Sequence, residues 1–331
     1  MALLRNGFDW LLALADERLE RLGGRRGSSI PTAVFLLFPV LIILGAFGVL
    51  PLFSSIYISL FRGGAFVALG NYREAFTDDQ LRNSFLVTVY YAAGTIPATL
   101  GLSFVAASAL FRIQRGRGFF RTLYFLPYVT SAVAAATVWK EILNPQHGLI
   151  NTALGWTTPG ASPWSQWLLE PRGALHLVTG GMVSPGVGPS LALCCVILFE
   201  IWHSSGFMIV ILLAGMTAIP PELEEAALID GANWIQRTRR ITIPLLSPTI
   251  FFLIIISGIK AFQAFNSFYA LTGNGRGPLD TTQNMTVYIF TNMYEYNDYG
   301  YGAAVAALLC VVIVGLTVVQ WRFVGRRVHY D

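Results

Sequence analysis

The sequence predicts an all-α, polytopic membrane protein with about six spanning helices and a helical loop between the fourth and fifth spans. Three observations carry this: an apolar composition, apolar runs of bilayer-crossing length, and arginines gathered in alternate loops. Of 331 residues, 54% are hydrophobic and only 12% are charged, with a mean hydropathy of +0.58. A chain of this size then has too little polar surface to coat a soluble globule. A helix needs about 20 apolar residues to cross roughly 30 Å of hydrocarbon. The runs at 32–60, 83–111, 119–141, 190–215, 249–270 and 302–323 meet that requirement.

Each element has its own justification. Residues 1–29 precede the first run and carry Arg5, Arg18, Arg21, Arg25 and Arg26. Within them Phe8, Leu11, Leu12, Ala15, Leu19 and Leu22 share one helical face, the pattern of an amphipathic helix on the inner membrane surface. The first run is too long for the apolar region of a signal peptide and is read as a retained span, so 30–331 form the transmembrane domain. Arg112, Arg115, Arg117 and Arg121 separate the second and third runs. Arg237, Arg239 and Arg240 precede the fifth, and Arg322, Arg326 and Arg327 end the chain. Positive charge stays inside, so both termini and the loop of about 217–248 are expected in the cytoplasm. The loop of about 144–189 is then external, with Trp156, Trp164 and Trp167 as interfacial anchors and little secondary structure expected of its own. The arginine clusters speak to orientation, and no nucleic-acid partner is expected.

The loop before the fifth span contains a helix of unusual character. Pro221 suits a first helical position, and Glu222, Glu224 and Glu225 place negative charge at the positive end of the helix dipole. Gly231 is expected to stop the helix. Ala226 and Ala227 let a partner approach the backbone closely, and Glu225 offers it a carboxylate.

Two ionisable residues fall inside spans. Glu200 and Lys260 each lie roughly 15 Å deep, near the midplane. A charge there requires a partner or a water-filled cavity. Lys260, Gln263 and Asn266 recur at three-residue spacing with Ser257 one turn earlier, and Tyr128, Thr130, Ser131, Trp202 and Ser204 add hydroxyls and a ring. Such a mixture suits a sugar, which needs fixed donors and acceptors and an aromatic plane. Two readings stand: these side chains line a cavity, or Glu200 and Lys260 form an ion pair that joins two helices while the hydroxyls bond their own helix carbonyls.

Enzyme chemistry finds no support in motifs. There is no GxxxxGK[ST] phosphate loop and no HExxH pair, and His147, His176, His203 and His329 are dispersed. Cys194, Cys195 and Cys310 lie in apolar runs without metal-ligand spacing, so no disulfide framework and no cofactor are expected.

The loop helix carries a resemblance. Glu225-Ala226-Ala227, then Asp230-Gly231-Ala232, then Ile241 and Pro244 resemble the EAA loop of permease subunits in binding-protein-dependent ABC importers. RTLYFLPY at 121–128, Ile201-Trp202-His203, FQAFNSFYALTGNGRGP at 262–278 and the Tyr299 to Ala304 stretch are similar to the sugar, maltose-type, subgroup. Together they cover most of 85–325. Asn274 and Arg276 interrupt the family's glycine run, and Asn266 stands where an aspartate is usual.

The resemblance implies a permease subunit in a bacterial or archaeal cytoplasmic membrane, taking up a sugar or oligosaccharide. It implies a second homologous permease, two ABC ATPase subunits that hold ATP and Mg, and an external solute-binding protein landing on the external loop, whose part after Glu170 looks like an insertion. It implies that Glu225, Ala226, Ala227, Asp230 and Gly231 contact the ATPase. Positions matching Tyr128, Glu200, Ser204, Ser257 and the surroundings of Lys260 would line the cavity, to which Ser131, Gln263 and Asn266 are added here by spacing. A permease for another polar solute, such as glycerol phosphate or a polyamine, is the alternative in transport. A membrane-embedded enzyme or scaffold is the alternative outside it.

Overall fold

The computed structural model describes residues 30–113, 115–155 and 162–323. The amphipathic segment expected at 8–22, Trp156 and both termini lie outside the described residues. Packing divides the chain at Tyr57 and Ile58 into two units. In the first, α1 (Ile30–Leu44) continues through a π-helical turn, Gly45–Val49, into α2 (Leu50–Ile58). Residues Leu37–Ile58 are long and apolar enough to cross a membrane.

The second unit opens with a short antiparallel hairpin, β1 (Phe61–Arg62) and β2 (Ala65–Phe66), then α3 (Gly70–Thr77). The long helix α4 (Asp79–Arg112) has 34 residues, about 51 Å at 1.5 Å per residue, and so overruns the hydrocarbon. Its start is fixed by Asp78, whose carboxylate accepts the amides of Gln80 at 2.8 Å and Leu81 at 3.3 Å. The hydroxyls of Tyr288 and Tyr301 donate to the same carboxylate from distant parts of the chain. Burial by itself pushes the Asp78 carboxyl up; the two hydroxyls and two amides outweigh it and hold the group below its ordinary value.

The third apolar run is not one straight helix. α5 (Arg117–Val129) and α6 (Ala132–Ile142) meet at 93°. Pro127 lies in the last turn of α5, Thr130 is extended, and its hydroxyl donates to the Pro127 carbonyl at 2.7 Å, so the helical ladder ends there. The loop at 144–189 is also more structured than expected. It holds α7 (Leu149–Ala153), a 3-10 turn at Pro163–Ser165 and α8 (Ala174–Val178). Asn151 ties it together, donating to the Ser165 carbonyl at 2.9 Å and accepting the Trp167 indole N–H at 2.8 Å. The stretch after Glu170 folds back on itself through a bridge between Gly173 and Ser190. Arg172 forks onto both Glu170 oxygens at 2.7 Å, and this pairing holds the Glu170 carboxyl below its ordinary range despite burial.

The fourth run is α9 (Leu191–Thr217), capped by the Ser190 hydroxyl on the Leu193 amide. The cytoplasm-facing loop of the sequence reading then provides α10 (Pro221–Ile229) and α11 (Trp234–Arg237), whose Asn233 and Gln236 form a reciprocal capping box. A π-helical turn at Thr238–Thr242 and the short α12 (Ile243–Leu245) lead into α13 (Ser247–Phe262), with a 68° bend between the two arms. The fifth run, expected to continue to Ala270, stops at Phe262 and restarts as α14 (Asn266–Thr272). The break is supported from the following loop: Thr286 donates to the Phe262 carbonyl and Asn284 to the Ala264 carbonyl. Irregular backbone at membrane depth requires such partners. α15 (Met285–Phe290), a π-helical turn at Thr291–Glu295 and α16 (Tyr299–Phe323) complete the chain. Among the described residues four helices are long and apolar enough to span by themselves, or six spans if each bent pair counts as one.

The departures in the glycine run are explained by the backbone. Gly273, Gly275 and Gly277 have φ of +81°, +80° and +63°, whereas Asn274 and Arg276 occupy the intervening positions with negative φ. Within this run, glycine stands at each position in the left-handed region.

The core lies where α9 packs on α4, joined by buried side chains of α13 to α16. Phe199, Phe268, Tyr91, Leu212 and Ile209 are almost fully buried. At Gly206 the backbones of α9 and α5 approach so closely that an added Cβ would stand 2.1 Å from the Tyr124 carbonyl oxygen. Small residues permit such crossings in a bilayer, where apolar surface alone does not drive helices together.

Candidate functional site

The two breaks, after α5 and after α13, fall around one cavity of about 210 Å³. Helix α4 contributes Tyr91, Thr95 and Thr99; α5 contributes Tyr128; α9 contributes Glu200, His203, Ser204 and Phe207; α13 contributes Ser257 and Lys260; and the break supplies Gln263 and Asn266. Seven of the eight residues expected to bind substrate therefore share one space. Ser131 does not line it: that residue precedes α6 and is exposed, and Ala132 takes the place on the wall.

The two charges sit in the cavity but do not pair. No ion pair joins Glu200 and Lys260 among the described residues, which corrects the helix-joining alternative. The Lys260 ammonium instead donates to the Tyr128 hydroxyl at 3.3 Å and lies 4.8 Å from the Phe207 ring centroid and 5.3 Å from that of Tyr128. Aromatic faces stabilise a cation without neutralising it. Glu200 accepts a hydrogen bond from the Ser204 hydroxyl one turn on. His203 stacks on Phe199 with ring centroids 5.5 Å apart and its Nε2 is 3.5 Å from the Thr130 carbonyl oxygen, an interior histidine without a nucleophile beside it.

The tyrosine and threonines of α4 were missed at the sequence level. Tyr91, Thr95 and Thr99 recur every four residues, one face of a helix, and that spacing was the available signal. The Thr95 hydroxyl is occupied in part by the Tyr91 carbonyl at 2.7 Å.

The other feature is α10. Gly231 follows its C-terminus with φ of +75°; its amide donates to the Leu228 carbonyl at 3.1 Å and that of Ala232 to the Ala227 carbonyl at 2.9 Å, which is a Schellman stop. Glu225, Ala226 and Asp230 are exposed and Ala227 is half-buried. Ile229, 87% exposed, together with the exposed Leu223 and Leu228, gives the helix apolar contact points beside its glutamates. The helix lies between α9 and α13 in the chain, and both of those helices wall the cavity. Among the described residues no group of three or more His, Cys, Asp or Glu side chains could hold a metal ion.

A multi-pass helical protein with a charged, hydroxyl-rich cavity and a short exposed helix in the connection between two of its walls has the make-up of a membrane transport component. The chain belongs to the family described as binding-protein-dependent transport system inner membrane component, whose model matches residues 100–328. It is a multi-pass protein of the inner membrane and a transport subunit, not an enzyme. It is 30% identical over 302 residues to the sn-glycerol-3-phosphate transport system permease protein UgpA of Agrobacterium fabrum, covering 89% of this chain and 95% of that one. It is 32% identical over 299 residues to the trehalose/maltose transport system permease protein MalF of Thermococcus litoralis, covering 88% and 92%. Among solved structures, a chain of a bacterial ABC transporter involved in the import of the acidic polysaccharide alginate superposes with a TM-score of 0.72 at 20% identity, covering 89% of this chain and 96% of that one. That likeness shows the fold.

Proposed function

We propose that this chain is a permease subunit of an ATP-driven importer that takes up a sugar or oligosaccharide delivered by an external binding protein. It pairs with a second, homologous permease and two ABC ATPase subunits, which carry the ATP and Mg. The observation that supports this most is the connectivity of the site: α10 lies in the connection between α9 and α13, followed by α11 and α12, so a force on α10 is passed along the chain to two walls of the cavity. ATPase closure on Glu225, Ala226, Ala227, Asp230 and Gly231 would rock those walls and alternate access. A cavity of about 210 Å³ is small beside the roughly 300–1,000 Å³ of pockets that enclose an organic ligand, as expected where a partner permease supplies the opposite wall. Tyr128, Glu200, Ser204, Ser257, Lys260, Gln263 and Asn266 are the substrate-facing set. Glycerol phosphate remains the competing solute, favoured by the similarity to UgpA. The solute retained by the copurified binding protein distinguishes the two.

The coupling role is tested at Gly231. An added Cβ meets nothing within 4 Å, so Gly231→Leu acts chiefly through the left-handed backbone, at roughly 1–2 kcal/mol. Uptake is expected to fall about tenfold while the assembled complex still hydrolyses ATP. Unchanged uptake per hydrolysed ATP would remove α10 from the coupling path.

Orientation follows from charge. Arg62, Arg172 and Arg276 on the proposed outer side each pair with a carboxylate, whereas no described carboxylate pairs with Arg112, Arg117, Arg237, Arg239 or Arg240. Free positive charge therefore concentrates on the proposed inner side, with both termini, and residues 1–29 form a surface segment ahead of a transport domain at 30–331. A cysteine replacing Gln236 is expected to be labelled only from the cytoplasm and one replacing Met182, 92% exposed, only from outside. External labelling of the first in intact cells would invert the arrangement.

A further inference from the structure

A second cavity, of about 490 Å³, opens beside α10, away from the first. Arg112 at the end of α4, Arg117 at the start of α5, and Trp234 and Arg237 of α11 line it, with Glu224 of α10 and Thr238. Three guanidinium groups thus face one carboxylate, and none of the three is ion-paired with any described carboxylate. Arg117 is partly engaged, donating to the Leu110 carbonyl at 3.1 Å and to that of Phe111. Arg112 stands 5.1 Å from the Trp234 ring centroid, an arrangement that leaves its charge intact. The Nε of Arg237 is buried without a hydrogen-bond partner. A buried donor on a charged group is costly to leave unmade. Arginine forks match the geometry of phosphate oxygens, and clustered guanidinium groups with a neighbouring hydroxyl provide the donors that such an anion requires.

We infer that this cavity binds a phosphate-bearing anion and that Arg237, Arg112 and Arg117 hold it. Two sources carry that chemistry, a phospholipid headgroup and a soluble phosphate. Only the assignment to the inner leaflet rests on the orientation proposed above; the anion site itself does not. Because Glu224 of α10 lines the same cavity, an anion held by the arginines would repel that carboxylate and so bias the angle at which α10 is presented.

The test is local chemistry on the intact complex. The assembled importer, in nanodiscs of phosphatidylcholine alone or with phosphatidylglycerol, is treated with phenylglyoxal in the presence of inorganic phosphate or of chloride at equal ionic strength. Modification of each arginine is read by peptide mass spectrometry. Arg237 and Arg112 are expected to be protected about fivefold by phosphatidylglycerol or by phosphate, relative to Arg322 at the end of α16 and to the exposed Arg82. Protection by the lipid alone assigns the headgroup, and protection by phosphate alone assigns a soluble ligand. Equal modification of Arg237 in all conditions, or protection shared equally by Arg322, overturns the proposal. Labelling of the cytoplasmic face at the wrong side in intact cells would fail the orientation while leaving this result standing.

Discussion

Replacing Gly206 with valine is expected to remove most of the assembled complex from the membrane. An added Cβ would stand 2.1 Å from the Tyr124 carbonyl oxygen and 3.0 Å from the Phe125 Cα, and both are backbone atoms of α5 that no rotamer change can move aside. Helices α9 and α5 would have to separate. Overpacking of this kind costs typically about 1–3 kcal/mol, and a branched side chain against backbone belongs at the upper end. The displacement also moves Tyr128, on the next turn of α5, away from Lys260. Complex recovered after mild detergent extraction, with its thermal midpoint, measures the effect; Gly101→Ala, where a methyl meets nothing within 4 Å, is the control. Equal yield and midpoint for the valine variant would mean that the α5 and α9 crossing is looser than described.

The second large effect is expected at the two charges in the cavity. If Glu200 and Lys260 contact substrate separately, Lys260→Met and Glu200→Gln each remove a hydrogen bond to a charged group, worth roughly 1.5–3 kcal/mol, and uptake falls about ten- to a hundredfold. Combining them does not rescue uptake, because the two are not ion-paired and each lost contact stays lost. A structural pair behaves in the opposite way, with single changes destabilising the complex and the double change restoring it. Uptake normalised to assembled complex, for both single variants and the double, separates the cases. Full transport by the double variant would exclude a direct role for both residues.

Much of this architecture was legible because its signals are local. Apolar length gave the spans, and Pro221, the first-turn glutamates and Gly231 gave the ends of α10 at Pro221 and Ile229. Glu200 and Lys260 were visible because a charge inside an apolar run is conspicuous. The breaks were not, since they depend on distant partners. Pro127 alone did not predict a 93° turn, and nothing near Phe262 announces that Asn284 and Thr286 will capture its freed carbonyls. The ion-pair alternative for Glu200 and Lys260 failed for a related reason. Depth along a helix axis fixes how far in a residue lies but not where it points, and the aromatic faces of Tyr128 and Phe207 provided Lys260 with another neighbour. Tyr91 and Thr95 went unseen because the run at 83–111 holds no charged residue that would draw attention to its hydroxyls.

As a subunit of an ATP-driven, binding-protein-fed assembly, this chain is expected to move solute inward only when the whole assembly is present. The most direct test is uptake into proteoliposomes that contain the copurified complex, using the labelled solute retained by its binding protein. Accumulation is expected only with ATP on the α10 side and loaded binding protein on the opposite side. Accumulation without either one, or none when all components are present, would contradict it.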